Sequence, residues 1–276
     1  MELNKIYNED CLEGMKRIPD GSVDMILCDL PYGITECKWD TIIPLDKLWE
    51  QYERVIKDNG AIVLTAAQPF TTYLINSNIK LFKYTWYWIK NRPSGWQHAK
   101  NKPMTKVEEV CVFSKAPIGH FSLLGKKRME YYPQGIKPSG KKTISATKRG
   151  NIMGKRPNQT GKKYESFTGF PHNILEIQNV VGKQAVHPTQ KPVELFEYLI
   201  KTYTNEGDTV LDNCMGSGTT AIACLNTNRN YIGFELDEGY YKASLDRIEE
   251  HKEEWNEELL WKNYQTVFRM VIFGLS

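Results

Sequence analysis

The chain has 276 residues, of which 41% are hydrophobic and 25% are charged, and its formal net charge is +3. This length fits one large α/β domain, or one domain with an insert. No apolar stretch approaches the roughly 20 residues of a membrane-spanning helix, and the first five residues do not resemble a signal peptide. We therefore expect a cytoplasmic protein that has no membrane partner.

Cysteine and histidine spacing argues against disulfides and against a metal site. The six cysteines are scattered and form no Cys-x-x-Cys pair, and the five histidines show no paired ligand spacing. We expect reduced thiols, some of them in the core, and no metal cofactor.

In chain order, apolar runs of strand length alternate with segments of helical periodicity. Strands are predicted over residues 22–28, 61–65, 84–89, 110–113, 209–211 and 231–234, and helices over residues 44–58, 69–77, 192–203, 219–227 and 238 to about 261. This alternation predicts an α/β fold with a mostly parallel sheet and helices on both faces.

The first predicted strand is followed by Asp29-Leu30-Pro31-Tyr32. The carboxyl ends of parallel strands form the edge at which open α/β sheets bind ligands, so these four residues are candidates for the active site. Taken alone, Asp29 could equally be a helix cap and Tyr32 a packing residue.

A second strand end carries the turn Gly216-Ser217-Gly218-Thr219-Thr220, which opens a helix and fits the pattern G-x-G-x-x-A. Small residues at a helix N-terminus let a nucleotide-like cofactor approach the backbone. Glu235 ends the next strand, where an acid can bind both hydroxyls of a ribose. Asp212, just before the turn, would repel a pyrophosphate and attract an ammonium group, which favours S-adenosylmethionine over NAD. An NAD-dependent dehydrogenase remains an alternative on these residues.

Positive charge is concentrated in residues 126–163, the basic segment, which holds twelve lysines and arginines and one acid. The segment shows little helical or strand periodicity, so we expect an irregular insert. Its charge and its many glycines and prolines suit a phosphate backbone, although a solvated loop would have the same composition. The candidate DNA-binding residues are Trp96, which lies in an irregular stretch, and Lys126, Lys127, Arg128, Lys141, Lys142, Lys148, Arg149, Lys155 and Arg156.

Several motifs, in order, resemble those of the β-group of DNA amino-methyltransferases. Asp29-Leu30-Pro31-Tyr32 resembles the motif D-P-P-Y, with Leu30 as a departure, and 187–192 matches H-P-T-Q-K-P. Residues 211–220 resemble L-D-P-F-x-G-S-G-T-T, with Asn213 and Cys214 in place of Pro and Phe. Residues 8–12 resemble the segment that contacts the cofactor's adenine, and 68–71 the segment after the second strand.

This resemblance implies a Rossmann-like methyltransferase domain made of residues 1–114 and 176–262, which the target-recognition insert, residues 115–175, interrupts. The role of the tail, residues 263–276, is left open. The implied reaction is methyl transfer from S-adenosylmethionine to N6 of adenine in double-stranded DNA, by base flipping and with no metal. N4 of cytosine is the alternative target, and a catalytically silent DNA-binding protein is the alternative from another class.

The same resemblance assigns roles to single residues. Asp29 and the main-chain carbonyl of Leu30 accept hydrogen bonds from the target amine, Pro31 stiffens the loop, and Tyr32 stacks on the extruded base. The implied cofactor-binding residues are Asp10, Cys11, Asp29, Lys191, Asp212, Gly216, Ser217, Gly218, Thr219 and Glu235. A homodimer and a partner restriction endonuclease are left open as further partners, as is a bacterial or a phage origin.

Overall fold

The structure is a computed structural model that describes residues 1–33, 40–144, 161, 163–180 and 190–273. In the last helix, side chains are described up to Glu257 and at Trp261. The strands are β1 (Lys5–Tyr7), β2 (Val23–Asp29), β3 (Ile56–Ala66), β4 (Phe82–Ser94), β5 (Thr105–Phe113), β6 (Lys137–Ile144), β7 (Lys163–Thr168), β8 (Ile174–Glu176), β9 (Thr209–Asp212) and β10 (Asn230–Phe234). The helices are α1 (Cys11–Met15), α2 (Leu45–Val55), α3 (Phe70–Ser77), α4 (Phe121–Leu124), α5 (Val193–Tyr203), α6 (Thr219–Asn226) and α7 (Glu238–Phe273).

Eight strands form one mixed sheet in the order β1-β10-β9-β2-β3-β5-β4-β8. The pairs from β1 to β3 are parallel, β5 runs antiparallel to both β3 and β4, and β8 pairs parallel with β4. The strand order changes direction between β2 and β9, so the carboxyl ends of these two strands flank a crevice. Such a switch point is where open α/β sheets bind ligands. The predicted Rossmann-like α/β fold is therefore confirmed.

The central strand β2 is buried on both faces because its side chains alternate between two apolar cores. Met25 and Leu27 face the core beneath α5 and α6, whereas Ile26 and Cys28 face the core beneath α2 and α3. All four side chains are fully buried. The run from Met25 to Cys28 is apolar because helices cover both faces of the sheet, and β2 ends at Asp29, where a polar group reaches the sheet edge.

The predicted element types are confirmed, while several bounds differ. Helix α2 ends at Val55 and not at 58, because the buried β-branched residues Val55 and Ile56 favour an extended chain and Ile56 already pairs with Val23 in the sheet. Helix α7 continues to Phe273, through most of the tail whose role was left open. No described helix is both long and apolar enough to cross a membrane.

The insert was expected to be irregular, and this prediction was wrong for part of it. Strands β6 and β7 pair antiparallel in a separate two-stranded sheet, with Thr143 opposite Tyr164. Sequence patterns show local periodicity but not which distant segment supplies the hydrogen bonds, so this pairing could not be seen in advance. The start of the insert is fixed to the methyltransferase core: Glu130 N donates to Asn59 O at 3.0 Å, and Tyr132 N donates to Thr202 O at 2.7 Å.

Candidate active site

The carboxyl ends of β2, β3, β9 and β10 meet around one cavity of about 1410 Å³. It is lined by most of the residues predicted for catalysis and cofactor binding: Asp10, Cys11, Asp29, Leu30, Pro31, Tyr32, Lys191, Asp212, Gly216, Ser217, Thr219 and Glu235. Gly218 is not on the wall, but it caps the N-terminus of α6 with φ of +79°, a conformation that favours glycine. The fold thus brings together two motifs that are about 180 residues apart in the sequence.

Asp29 lies at the end of β2, directly opposite Thr65 of β3. Its Oδ1 accepts hydrogen bonds from the Tyr32 hydroxyl, at 2.8 Å, and from Thr65 Oγ1. The ring of Tyr32 stacks on Phe70 of α3, with 5.2 Å between the ring centroids. These contacts hold the catalytic candidates Asp29 and Tyr32 in fixed orientations at the cavity wall.

Lys191 lies just before α5, and its side chain is buried against Asp29. Lys191 Nζ lies 2.7 Å from Asp29 Oδ2 and 3.5 Å from Glu108 Oε2. Burial alone would lower the pKa of Lys191, but attraction to Asp29 and Glu108 outweighs it and raises that pKa. Lys191 is therefore a buried cation bound to the catalytic candidate, and its predicted contact with the cofactor stays a prediction.

The glycine-rich turn is held from below by Asp212, which is 2% exposed. Asp212 Oδ1 accepts from Cys214 N at 3.0 Å, and its Oδ2 accepts from the Thr220 hydroxyl. Burial raises the pKa of Asp212 to about 6, against the hydrogen bonds that favour its charged form. A nearby cation stabilises the charged form of a carboxylate in this environment, because it offsets the free-energy cost of burying the carboxylate.

Glu235 follows β10 and lies across the turn from Asp212. Its Oε2 accepts from Gly216 N at 2.8 Å, and its Oε1 accepts from Asp237 N at 2.9 Å. Burial raises the pKa of this carboxyl group as well. Asp10 begins α1, where its Oδ1 caps the helix by accepting from Leu12 N at 2.8 Å, so the segment 8–12 is fixed at the same edge.

These groups fit S-adenosylmethionine. Glu235 offers acceptors for ribose hydroxyls, and Asp212 offers a negative charge for the ammonium group. Gly216, with φ of +53°, has open space where a side chain would point, because a Cβ there would meet only Cys214 O, at 3.9 Å. A ligand can therefore approach the backbone of the turn. Among the described residues, no group of three or more acidic, histidine or cysteine side chains could hold a metal ion.

None of the predicted DNA-binding residues that the structure describes lines this cavity. Trp96 is 73% exposed, in a single 3₁₀ turn between β4 and β5. Lys126 and Lys127 lie in a second such turn, Arg128 contacts the ring of Phe121, and Lys141 and Lys142 are exposed on β6. The remaining four candidates, Lys148, Arg149, Lys155 and Arg156, lie outside the described residues, as do 187–189 of the H-P-T-Q-K-P motif.

Lys90 of β4 and Glu108 of β5 are among the charged residues of the cavity wall that sequence reasoning missed. Lys90 is 4% exposed, and its Nζ contacts Glu108 Oε1 at 2.9 Å and Ser94 Oγ at 2.9 Å. A weak signal was available: Lys90 directly follows the predicted strand 84–89, and Glu108 lies two residues before the predicted strand 110–113. A charged side chain that is buried beside a strand needs a partner.

Comparison with known proteins finds relatives over most of the chain. Type II methyltransferase M.BglII of Bacillus subtilis is 29% identical, over 92% of this chain and 71% of the relative. DNA adenine methyltransferase YhdJ of Escherichia coli K12 is 25% identical, over 90% of this chain and 83% of the relative.

Solved structures show the same fold. The PvuII DNA methyltransferase, described as cytosine-N4-specific, has a TM-score of 0.63 at 17% identity, and the match covers 87% of this chain and 84% of that one. The crystal structure of the M1.HpyAVI–SAM complex has a TM-score of 0.56 at 23% identity, and the match covers 88% of this chain and 98% of that one. The family of N6/N4 methyltransferases, described as DNA methylase, matches residues 23–246, which include both strand ends of the cavity. The chain belongs to this family of DNA amino-methyltransferases.

Proposed function

We propose that this chain transfers a methyl group from S-adenosylmethionine to N6 of adenine in double-stranded DNA. The observation that carries the proposal is that Asp29 and Tyr32 lie on the same cavity wall as the glycine turn, Asp212 and Glu235. The similarity to the adenine methyltransferase YhdJ supports adenine as the target. The family match makes the dehydrogenase alternative wrong.

The chemistry explains why an acceptor is needed at Asp29. An exocyclic amine on a base is a poor nucleophile, because its lone pair is shared with the aromatic ring. Asp29 and the main-chain carbonyl of Leu30 accept the two amine hydrogens and favour the pyramidal nitrogen of the transition state. Leu30 is 4% exposed and anchored in the core, and Pro31 stiffens the loop, so both acceptors are held in place before the base arrives.

The base reaches this wall by leaving the duplex, since its amine is otherwise inaccessible to a cavity below the sheet edge. Tyr32 offers the aromatic surface on which the extruded base stacks. Phe70 stacks on the Tyr32 ring and holds it in orientation, and Lys191 Nζ lies over the ring, 5.6 Å from its centroid.

S-adenosylmethionine would supply a sulfonium-bound methyl group to the amine nitrogen: as the nitrogen–carbon bond forms, the carbon–sulfur bond breaks, S-adenosylhomocysteine leaves as a neutral thioether and the nitrogen loses a proton. In our proposal Glu235 binds the ribose, residues 10–11 face the adenine, and the glycine turn and Asp212 hold the methionine moiety. These groups fix the cofactor's position, so that catalysis comes chiefly from orientation and electrostatics.

The insert, residues 115–175, is proposed to hold the duplex while the target base is extruded. Its described cations are exposed, apart from the half-buried Arg128, and none lines the cavity, which suits phosphate contacts that position the DNA. Trp96 is proposed as an additional DNA contact.

Methylation-aware sequencing of DNA from cells that express the chain tests this proposal. The host should lack its own DNA methylation, and the Asp29→Ala variant serves as the control. We expect N6-methyladenine at one short sequence motif with the wild type and none with the variant. N4-methylcytosine would move the assignment to the alternative target, and no methylation despite tight DNA binding would support a catalytically silent DNA-binding protein.

A further inference from the structure

Four charged side chains form an alternating row along the cavity wall, in the order Asp29, Lys191, Glu108 and Lys90. Lys90 and Lys191 have side chains that are 5% and 7% exposed, and Glu108 and Asp29 are 16% and 23% exposed. The row runs from the end of β2, past β3, to the strands β5 and β4, which pair with each other. Two acids and two bases balance in charge, which is the condition for burying them together.

The row is asymmetric around Lys191. Its Nζ lies 2.7 Å from Asp29 Oδ2 but 3.5 Å from Glu108 Oε2. Glu108 Oε2 is buried and has no hydrogen-bond partner in the part of the chain that the structure describes. The other oxygen, Oε1, is held by Lys90 Nζ at 2.9 Å. A buried carboxylate oxygen without a hydrogen bond is costly, and here it lies 3.5 Å from an ammonium group that is closer to a different acid.

In contrast to Glu108, Asp29 has hydrogen-bond partners at both of its carboxylate oxygens. Oδ1 accepts from Tyr32 and Thr65, and Oδ2 accepts from Lys191. A target amine that approaches Asp29 competes with Lys191 for Oδ2. While Asp29 remains bound to the ammonium, it is also a weaker hydrogen-bond acceptor for the amine, because the positive charge draws electron density away from the carboxylate oxygen.

We infer that Glu108 is a positioning residue that receives the Lys191 ammonium when the target amine takes Asp29 Oδ2. The inference rests on the proposed role of Asp29 as acceptor. A shift of less than about 1 Å brings Lys191 Nζ from its present distance to a normal charge-assisted hydrogen bond with Glu108. Lys191 then keeps a carboxylate partner in both states, so no buried charge is left uncompensated.

Lys90 and Ser94 hold Glu108 in place, so that Lys191 is the residue that moves in this exchange. Lys90 Nζ is held by Ser94 Oγ at 2.9 Å and binds only the far oxygen of Glu108 among the contacts described. Glu108 is thereby fixed with Oε2 towards Lys191, and the lysine moves while the acid stays in place.

The test compares Glu108→Gln with the wild type in single-turnover methylation of a duplex that carries the mapped motif. The glutamine keeps the shape of the side chain but loses the charge that attracts Lys191. We expect the methylation rate to fall by about 10- to 100-fold. Cofactor and DNA dissociation constants should stay within about threefold of the wild type, because the variant changes only the orientation of groups around the amine. Glu108→Asp, which keeps the charge, should recover part of the rate.

Asp24→Asn is the matched control. Asp24 is also 16% exposed and ion-paired, with Lys57, but it lies at the opposite end of β2 and does not line the cavity. It should lower the melting temperature about as much as Glu108→Gln without slowing methylation. If Glu108→Gln does not fold, Glu108→Asp gives the test, because its shorter reach should still slow the reaction without weakening cofactor binding.

A second measurement asks whether Glu108 acts through Lys191. In a Lys191→Gln background, Glu108→Gln should have little further effect on the rate. A folded Glu108→Gln variant with the wild-type rate, or an additive double variant, would overturn the inference. A different result would refute the proposed function, namely an Asp29→Asn variant that retains activity. An inactive Asp29→Asn together with a fully active Glu108→Gln would refute the inference alone.

Discussion

The methyltransferase core and the insert, residues 115–175, differ in how far their charged side chains are buried. Around the cavity, Asp212 and Lys191 are almost completely buried and are bound by Thr220 of α6 and by Asp29 of β2, respectively. In the insert, both paired strands are exposed almost throughout, and its described residues are buried only towards its two ends, at Ala116, Met129 and Leu175. The core therefore fixes the positions of a few atoms, whereas the insert presents charge over a surface.

This contrast matches what we propose that the two regions recognise. Methyl transfer needs acceptors placed to within a fraction of an ångström, and only a packed interior can hold them. A DNA backbone is a repetitive array of charges, so it is recognised by the number of cations and tolerates their movement. Single substitutions should thus be severe in the core and mild in the insert, where effects should accumulate with the number of charges removed.

The largest expected effect is that of Asp29→Ala on methyl transfer. Losing the acceptor for the target amine should reduce the rate by about 10³-fold or more, while the dissociation constant of the cofactor stays within about fivefold. The measurement is methyl incorporation into unmethylated DNA, beside calorimetric titration of the cofactor. Since alanine leaves the Lys191 ammonium without its nearer partner, Asp29→Asn serves as the isosteric control for stability. A residual rate within tenfold of the wild type would refute the assignment of Asp29.

The second expected effect is on DNA affinity, and it requires several substitutions at once. Replacing Lys126, Lys127, Lys141 and Lys142 with Gln should lower the slope of log K against log salt by about 0.9 for each phosphate that the protein no longer neutralises. Filter binding across a salt series measures this slope. Cofactor affinity should not change, because none of the four residues lines the cavity.

The control for that experiment removes the same charge from elsewhere on the surface. Lys5, Lys16, Lys242 and Lys252 are each ion-paired with a nearby acid on the methyltransferase core. Their replacement should leave the slope unchanged. Equal slopes for both four-site variants would show that the insert does not carry the phosphate contacts.

The same contrast explains what the sequence could predict. The strand ending at Asp29 and the turn at Gly216 were predictable, because buried parallel strands are apolar runs and their polar ends stand out. The pairing of β6 with β7 was not, since it depends on contacts between distant segments with weak patterns of their own. Lys90 and Glu108 were missed because a charged residue beside a strand reads as an exposed edge until its partner is known. The position of Lys191 on Asp29 likewise follows from tertiary packing.

A third, smaller effect is expected for Glu235→Gln on cofactor affinity. The amide keeps the shape of the side chain but is a weaker acceptor for ribose hydroxyls and for Gly216 N. S-adenosylmethionine binding should weaken by about 1–3 kcal/mol, as measured by calorimetry. Glu238→Gln is the matched control, since that acid lies three residues further on, is 71% exposed and pairs only with Lys242 among the ion pairs described. Identical affinities for both variants would place the ribose elsewhere.

The smallest expected effect is a pH dependence of cofactor binding that comes from Asp212. Because burial raises the pKa of Asp212 to about 6 from a usual value of 3.8, the folded protein binds a proton there that the unfolded chain releases. Its carboxyl group therefore lowers the free energy of unfolding as pH rises from about 4 to about 6. A cation bound nearby stabilises the charged form, so binding of S-adenosylmethionine should be strongest above pH 6 and weaken as the pH falls through that value.

Glu235 also has a raised pKa, and the Asp212→Asn variant separates the two acids. It should bind the cofactor about 1 kcal/mol less tightly at pH 8 and lose most of the change between pH 5 and pH 7. Methylthioadenosine, which has no ammonium group, should bind with equal affinity to both proteins across this range. If the wild type and Asp212→Asn show the same pH profile with S-adenosylmethionine, Asp212 does not sense the ammonium, and its role is limited to holding the glycine turn through Thr220 and Cys214.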